Sequence, residues 1–257
     1  MRMYRRFVAT LGIVLLVAGG HETNAAELKV AAAANLQKVM TDALIPAFQQ
    51  KTGASVVPTF GSTKQLAVQV QNGAPEDVFV SADTETVTKL QSDGTLVPGT
   101  DKVYAIGKLV MWTRADAKRH PKRVEDLRDT GYATIAIANP KLAPYGLAAQ
   151  QALDKTGLTQ SVAGRLVQAE NIGQSLQYAK SGNADVSFTA LSLVIDDKID
   201  PYVIVPGKLY EPIAQSVAVV KGASQPELAT SFIAFLTSKD AAPIWKRYGY
   251  DLPKKKR

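Results

Sequence analysis

The chain has 257 residues, of which 46% are hydrophobic and 21% charged, so it can bury a sizeable core in one large or two medium domains and is not disordered throughout. It contains no cysteine, which excludes disulfides, zinc–thiolate sites and cysteine nucleophiles. Seven of the 30 basic residues lie at the two ends, and the other 23 equal the 23 acidic residues, so the net charge of +7 gives no indication of a nucleic-acid partner.

The N-terminus has the pattern of a secretory signal peptide. Three arginines precede an apolar run of 12 residues, 7–18, and small residues follow at 23–26. A membrane anchor is the alternative, but a spanning helix needs about 20 apolar residues. No cysteine near the cleavage site offers a lipid attachment point. The pattern therefore predicts a signal peptide over 1–26 and an exported, periplasmic mature protein.

The first part of the mature chain alternates strands with helices. Its apolar runs have strand-like length, and the segments between them have apolar residues at helical spacing. The predicted strands are 28–34, 54–60 and 77–81, and the predicted helices are 36–51, 63–71 and 84–90. This order is typical of a sheet wound with helices on its faces.

The rest of the chain continues in the same style. The predicted strands are 108–113, 133–138, 186–190 and 213–220. The predicted helices are 124–129, 147–155, 172–180, 226–236 and 240–248. The whole pattern predicts an α/β protein.

Catalytic motifs are poorly represented. His21 lies in the predicted signal peptide, and His120 lies in an exposed basic turn. The chain has no GxSxG, HExxH or GxxxxGK[ST] motif. The acidic cluster Asp196-Asp197 with Asp200 lacks the glycine and final glutamate of a calcium loop. A secreted enzyme that uses His120 or this cluster remains an alternative with little support.

Four strand-to-helix junctions are more informative. They are Ala34-Asn35, Ser62-Thr63, Pro144-Tyr145-Gly146 and Asn171-Ile172. Taken singly, each is an ordinary helix cap. Taken together, they offer hydroxyls, an amide and helix N-terminal N–H groups at the sheet edge where ligands bind in wound α/β folds.

The charge at these junctions limits the ligand. Only Lys64 and Glu170 lie beside them. A fully deprotonated oxyanion such as sulfate or molybdate needs donors alone, whereas a phosphate that keeps a proton also needs an acceptor. The junctions therefore favour a deprotonated oxyanion.

Several segments resemble the periplasmic molybdate-binding proteins of ABC importers. They are "LKVAAAANLQKVMTDALIPAFQQKTG", "TFGSTKQLAVQVQNGAPEDVFVSAD" and "WKRYGY", together with the spacing of "NPKLAPYGLAAQQAL" and "GNADVSFTALS". The run Gly73 to Asp83 is the most specific of these, and the likeness extends over roughly 27–252.

The resemblance implies a type II periplasmic binding protein fold, with two wound α/β lobes joined by two crossing segments and a ligand cleft between them. Lobe I would comprise 27–107 and 219–257, and lobe II 108–218. The implied function is high-affinity binding of molybdate, and of tungstate, and its delivery to a membrane ABC permease and its ATPase. The implied protein is a monomer that is not an enzyme and carries no cofactor. Binding of another small oxyanion, such as sulfate or thiosulfate, remains an alternative.

The resemblance also implies which residues hold the ion. Asn35, with Ala34 before it, and the pair Ser62 and Thr63 would contact the ion from lobe I. Tyr145 and Ile172 would donate backbone N–H groups from lobe II. The metal atom itself would have no direct protein ligand.

One position departs from the family pattern. Ala190 stands where some relatives supply a tyrosine hydroxyl. Either another donor replaces that hydroxyl, with Tyr145, Thr189 and Ser192 as candidates, or the site has one donor fewer.

Overall fold

The computed structural model describes residues 26–199 and 201–254. The predicted signal peptide, apart from its last residue, therefore lies outside the described residues, as do Asp200 and residues 255–257. Among the described residues, no helix is long and apolar enough to cross a membrane.

The described chain contains strands that form two five-stranded sheets. They are β1 Glu27–Ala33, β2 Ser55–Gly61, β3 Val78–Val80, β4 Lys102–Gly107, β5 Leu109–Trp112, β6 Ile135–Ala138, β7 Leu166–Ala169, β8 Val186–Ala190, β9 Tyr202–Ile204 and β10 Ile213–Val219.

Helices cover the faces of both sheets. The α-helices are Gln37–Val39, Ile45–Thr52, Thr63–Gln71, Glu85–Ser92, Pro144–Lys155, Thr159–Val162, Ile172–Lys180, Leu191–Val194, Pro226–Leu236 and Ala241–Arg247. A π-helical turn, Met40–Leu44, joins the first two of these helices, and short 3₁₀ helices lie at Ala34–Leu36, Val124–Arg128, Ala163–Arg165 and Gly207–Leu209.

The first sheet has the order β2-β1-β3-β10-β4. Strand β1 is parallel to β2 and β3, as the predicted helical crossovers require, and β10 is antiparallel to β3 and β4. The second sheet has the order β7-β6-β8-β5-β9, with β6 parallel to β7 and β8 and with β5 antiparallel to β8 and β9. Two mixed sheets with helices on their faces confirm the predicted fold class.

The chain passes between the sheets at two places that matter for the site. Strand β4 of the first sheet ends at Gly107 and β5 of the second sheet begins at Leu109, so Lys108 is the first crossing. The return crossing lies between β9 and β10. Because β10 pairs with β3 and β4, residues 213–218 lie in the first sheet, whereas the sequence-based division assigned them to lobe II.

A buried carboxylate ties the first lobe together. Asp77 Oδ2 accepts from the Lys29 N–H at 2.9 Å. Its Oδ1 accepts from the N–H groups of Ser224 and Gln225 and from the Ser224 hydroxyl, at 2.7–3.1 Å. These bonds fix the start of the helix Pro226–Leu236 beside β1 and β3, and so anchor the strands whose ends form the site.

Candidate functional site

A small pocket lies between the two lobes, where the carboxyl ends of β1, β2, β6 and β7 meet the N-termini of the helices that follow them. It is lined by Ala33, Ala34, Asn35, Gly61, Ser62, Thr63, Ala82, Ala143, Pro144, Tyr145, Asn171 and Ile172. All four predicted junctions therefore meet in one place. Asn35, Ser62, Thr63, Tyr145 and Ile172 are each at most 3% exposed.

The junction at Ser62 leaves its helix without a side-chain cap. Ser62 is the N-cap of the helix Thr63–Gln71, but its side chain makes no capping hydrogen bond within the described residues. Its hydroxyl instead donates to Gln65 Oε1 at 2.6 Å. Thr63 Oγ1 accepts from the Ala82 N–H at 3.1 Å, which leaves the hydroxyl hydrogen of Thr63 as a donor.

The junction at Tyr145 starts its helix three residues earlier than predicted. The helix begins at Pro144, where the absent N–H and fixed φ suit the first helical position. The first intrahelical bond runs from Leu147 N to Ala143 O at 3.1 Å, so the N–H groups of Tyr145 and Gly146 precede the helical ladder. A side chain at Gly146 would collide with the Ala138 carbonyl, and the glycine therefore lets this helix end approach β6 closely.

The junction at Ile172 is a capped helix end. Asn171 Oδ1 accepts from Gln174 N at 3.0 Å, and Ser175 N donates to Asn171 O at 3.1 Å. These bonds take up the third and fourth N–H groups of the first turn. The Ile172 N–H lies before them, at the wall of the pocket.

The Asn35 side chain belongs to a buried network of polar groups. Its Nδ2 donates to Gln215 Oε1 and to the Tyr250 hydroxyl, both at 2.9 Å. Gln215 Nε2 donates to the Tyr145 hydroxyl at 3.0 Å. The Tyr104 hydroxyl lies 2.8 Å from Ser81 O and 2.9 Å from Gln215 Oε1. The network therefore connects the two lobes directly behind the pocket.

Ala190, the seventh predicted site residue, does not line this pocket. It is fully buried at the end of β8. The neighbouring Thr189 hydroxyl donates to Ile172 O at 3.4 Å, and the Ser192 hydroxyl donates to Asn35 O at 2.8 Å. Of the three candidate replacements for the missing tyrosine, only Tyr145 lines the pocket.

The pocket carries no formal charge. None of the twelve described residues that line it is acidic or basic. Burial raises the pKa of Tyr145 well above its usual value, and burial likewise raises those of Tyr104 and Tyr250. These hydroxyls are therefore neutral at physiological pH, and the walls offer dipoles and hydrogen bonds rather than ion pairs.

The lobes also touch outside the pocket. Lys64 N donates to Leu142 O at 3.1 Å, and Lys38 Nζ lies 3.4 Å from Asp196 Oδ2. With the Ser192–Asn35 and Gln215–Tyr145 bonds, these contacts hold the lobes together around the pocket.

The candidate enzymatic groups lie elsewhere. His120 is exposed, and its Nδ1 lies 2.9 Å from Thr113 Oγ1. Asp196 pairs with Lys38, and Asp197 Oδ2 accepts from Trp112 Nε1 at 3.3 Å. Among the described residues, no group of three or more His, Cys, Asp or Glu side chains could hold a metal ion.

Sequence reasoning did not identify Gln215, Tyr104 or Tyr250 as part of the site. None of them lies at a strand-to-helix junction: Gln215 is inside β10, Tyr104 inside β4, and Tyr250 near the C-terminus. The signals available were a glutamine in an apolar strand and the second tyrosine of "WKRYGY".

Comparison with known proteins gives consistent matches. Residues 28–251 match the family described as bacterial extracellular solute-binding protein. The chain is 41% identical to the molybdate-binding protein ModA of Azotobacter vinelandii, over 96% of this chain and 97% of that protein. It is 37% identical to the molybdate-binding protein ModA of Rhodobacter capsulatus, over 93% of this chain and 92% of that protein. The solved Azotobacter vinelandii periplasmic molybdate-binding protein superposes with a TM-score of 0.84 at 36% identity, covering 88% of this chain and all of that one.

Proposed function

Because the chain belongs to the family of bacterial extracellular solute-binding proteins, we propose that it binds molybdate, and also tungstate, in the pocket between its lobes and delivers the ion to a membrane ABC permease and its ATPase. The observation that carries the proposal is the uncharged, donor-lined pocket in a chain 41% identical to a molybdate-binding protein. Molybdate carries no proton at neutral pH, and a site built from donors suits it.

The proposed contacts come from both lobes. Asn35, Ala34, Ser62 and Thr63 hold one side of the ion, with Ser62 turning its hydroxyl hydrogen away from Gln65. The Tyr145 and Ile172 N–H groups hold the other side. Each hydrogen bond to a charged acceptor contributes about 1.5–3 kcal/mol. Ala190 receives no contact in this proposal.

Binding and lobe closure are coupled in this scheme. The ion contacts both lobes only when they are closed, so it binds that state more tightly and shifts the equilibrium towards it. The closed form is then the one that the permease receives. No covalent chemistry and no cofactor take part, and the protein acts as an exported, periplasmic monomer after removal of residues 1–26.

Titration calorimetry tests the ligand. Molybdate and tungstate should bind with similar affinity, and sulfate, thiosulfate and phosphate at least about tenfold more weakly. Sulfate and molybdate carry the same charge and accept hydrogen bonds from the same donors, so the size of the cavity must produce the difference in affinity between them. Sulfate binding as tight as that of molybdate would overturn the choice of ligand, and no binding of any oxyanion would overturn the function.

The non-enzymatic assignment has a separate check. His120→Ala should leave molybdate affinity unchanged, because His120 lies outside the pocket and contacts Thr113 instead. A loss of affinity in this variant would contradict the proposed site.

A further inference from the structure

The side-chain amide of Asn35 points the wrong atom towards the pocket for binding an anion. Asn35 lines the pocket, but neither acceptor of its Nδ2, Gln215 or Tyr250, does. Its Oδ1 is buried and has no hydrogen-bond partner among the described residues. The amide atom left for the pocket is therefore an acceptor.

An acceptor in that position opposes a deprotonated oxyanion. Two oxygens with negative charge and no hydrogen between them repel each other, and an unpaired buried acceptor is costly by itself. A half-turn of the Asn35 amide would present its NH₂ group to the pocket. Nitrogen and oxygen of an amide have nearly the same shape, so the hydrogen-bond network decides which of them faces the ion.

Gln215 controls whether Asn35 can make this turn. If Asn35 turned alone, its Oδ1 would face Gln215 Oε1 across 2.9 Å without a hydrogen between them. If both amides turn, Gln215 Nε2 donates to Asn35 Oδ1, and the bond is restored with its direction reversed. The two side chains therefore share one orientation.

The neighbouring tyrosines can accommodate the turned pair. The Tyr104 hydroxyl has one hydrogen, and the Ser81 carbonyl at 2.8 Å can only accept it. Its oxygen, 2.9 Å from Gln215, is then free to accept the second hydrogen of Gln215 Nε2. On the other side of Gln215, the Tyr145 hydroxyl at 3.0 Å becomes the donor to Oε1.

Tyr250 and Ser192 complete the change. The Tyr250 hydroxyl, which lies 3.1 Å from Asn35 O and 3.0 Å from Ser192 Oγ, redirects its single hydrogen to the turned Asn35 Oδ1 at the 2.9 Å contact. The Ser192 hydroxyl keeps its bond to Asn35 O, so that carbonyl stays satisfied. Every amide hydrogen of Gln215 then has an acceptor, and Asn35 Nδ2 is the group that remains for the ion.

We propose, resting on the oxyanion-binding function above, that Gln215 is a positioning residue for the ligand: paired with Tyr104 and Tyr145, it turns the Asn35 amide so that Nδ2 donates to the bound oxyanion. Gln215 does not line the pocket, so it orients the donor to the ion through Asn35. The unturned pair, with Oδ1 towards the pocket, suits an anion that carries a proton and disfavours molybdate.

Calorimetric titration with molybdate tests the proposal in solution. Gln215→Met keeps the length of the side chain and removes both amide atoms, so nothing but Tyr250 orients the Asn35 amide, and affinity should fall about ten- to hundredfold. In an Asn35→Ala background the same change should reduce affinity by a clearly smaller factor than in the unmodified protein, because the group it positions is gone and only the interlobe bond to Tyr145 is lost. The matched control is Gln91→Met, which removes a glutamine bonded to Val97 O and Asp101 in the first lobe and should leave affinity unchanged.

Neutron diffraction of the unmodified protein with bound molybdate gives a second measurement that needs no variant. The proposal requires deuterium on the Gln215 atom nearest Tyr104 and two deuterons on the Asn35 atom that faces the ion. The opposite assignment, or equal losses from Gln215→Met in the two backgrounds, overturns it. If the unmodified protein binds no oxyanion at all, the proposed function fails; if it binds molybdate and Gln215→Met binds equally well, only this inference fails.

Discussion

Thr63 provides the sharpest test of a donor-built pocket. Its hydroxyl oxygen accepts from the Ala82 N–H at 3.1 Å, and this bond directs the hydroxyl hydrogen away from Ala82. Thr63 lines the pocket and is 1% exposed. Thr63→Val replaces the hydroxyl by a methyl group of nearly the same volume, so it removes the donor without opening a cavity.

Two separate losses follow from this change. The bond from a neutral hydroxyl to a charged acceptor contributes about 1.5–3 kcal/mol, which corresponds to a ten- to hundredfold loss of molybdate affinity. The Ala82 N–H loses its partner in a buried position, which costs about 1–3 kcal/mol of folding stability. For a protein of this size that cost lowers the melting temperature by about 2–12 °C.

Calorimetric titration and thermal unfolding without ligand measure the two losses independently. Thr63→Ser is the matched control, because it keeps the hydroxyl and removes only the methyl group; its affinity should stay within about threefold of the unmodified protein. If Thr63→Val binds molybdate as tightly as Thr63→Ser does, the hydroxyl is not a donor to the ion. If the melting temperature of Thr63→Val without ligand equals that of the unmodified protein, the stabilising role assigned to the Ala82 N–H bond is wrong.

Three further predictions concern the scaffold of the site. The Cβ added by Gly107→Ala would lie 2.6 Å from Gln215 Nε2 and closer still to the Tyr145 hydroxyl. We therefore expect chemical denaturation to show a free energy of unfolding lower by about 1–3 kcal/mol, together with weaker molybdate binding. The control is Gly164→Ala, which has no heavy atom within 4 Å of the added Cβ and should change stability by less than about 0.5 kcal/mol. Asp77→Asn should lower the free energy of unfolding by about 1–3 kcal/mol for each backbone N–H left unpaired. The molybdate affinity of the folded variant should stay within about threefold of that of the unmodified protein, because Asp77 does not line the pocket. Burial raises the pKa values of Tyr104, Tyr145 and Tyr250 in the folded state, so above about pH 10 the folded protein keeps protons that the unfolded chain releases. The free energy of unfolding should therefore fall by about 1.4 kcal/mol per pH unit for each of these tyrosines. Chemical denaturation at pH 8 and pH 11 measures this fall, and equal stability at the two pH values would contradict it.

Helices whose ends carry local signals could be predicted from the sequence. The helix Thr63–Gln71 follows Gly61 and Ser62, begins with the second hydroxyl residue, and stops before Asn72-Gly73. The helix Ile172–Lys180 follows Asn171, whose side chain caps it as that residue type predicts. In both cases the predicted and observed bounds coincide, because the chemistry that starts and stops the helix lies within a few residues of its ends.

Three strands were missed, and all three lie at sheet edges. Strand β4 is at one end of the first sheet, and β7 and β9 are at the two ends of the second. Only part of β4 and of β7 is buried and no residue of β9 is, whereas β6 and β8 are buried throughout. An edge strand has one partner and a partly solvated surface, so it lacks the continuous apolar run that identifies a central strand.

The donors at the junctions could be found from the sequence, but the network behind them could not. Asn35 lies at the end of a predicted strand, and this position identifies it. Gln215 lies 180 residues further along, and Tyr250 lies 215 further along, yet both bond to Asn35. A buried glutamine is satisfied by whichever chains the fold brings beside it, and no local pattern specifies them.

The same residues that face the pocket also join the lobes, and in the proposed scheme this makes binding and closure one event. Asn35 presents its amide to the pocket, while its carbonyl accepts from Ser192 of the other lobe. Tyr145 presents its N–H to the pocket, while its hydroxyl reaches Gln215 across the cleft. Opening the cleft therefore breaks these interlobe bonds together with half of the proposed contacts to the ion. The affinity of the site then includes the free energy of closure, and a residue such as Ser192 contributes to it without touching the ligand.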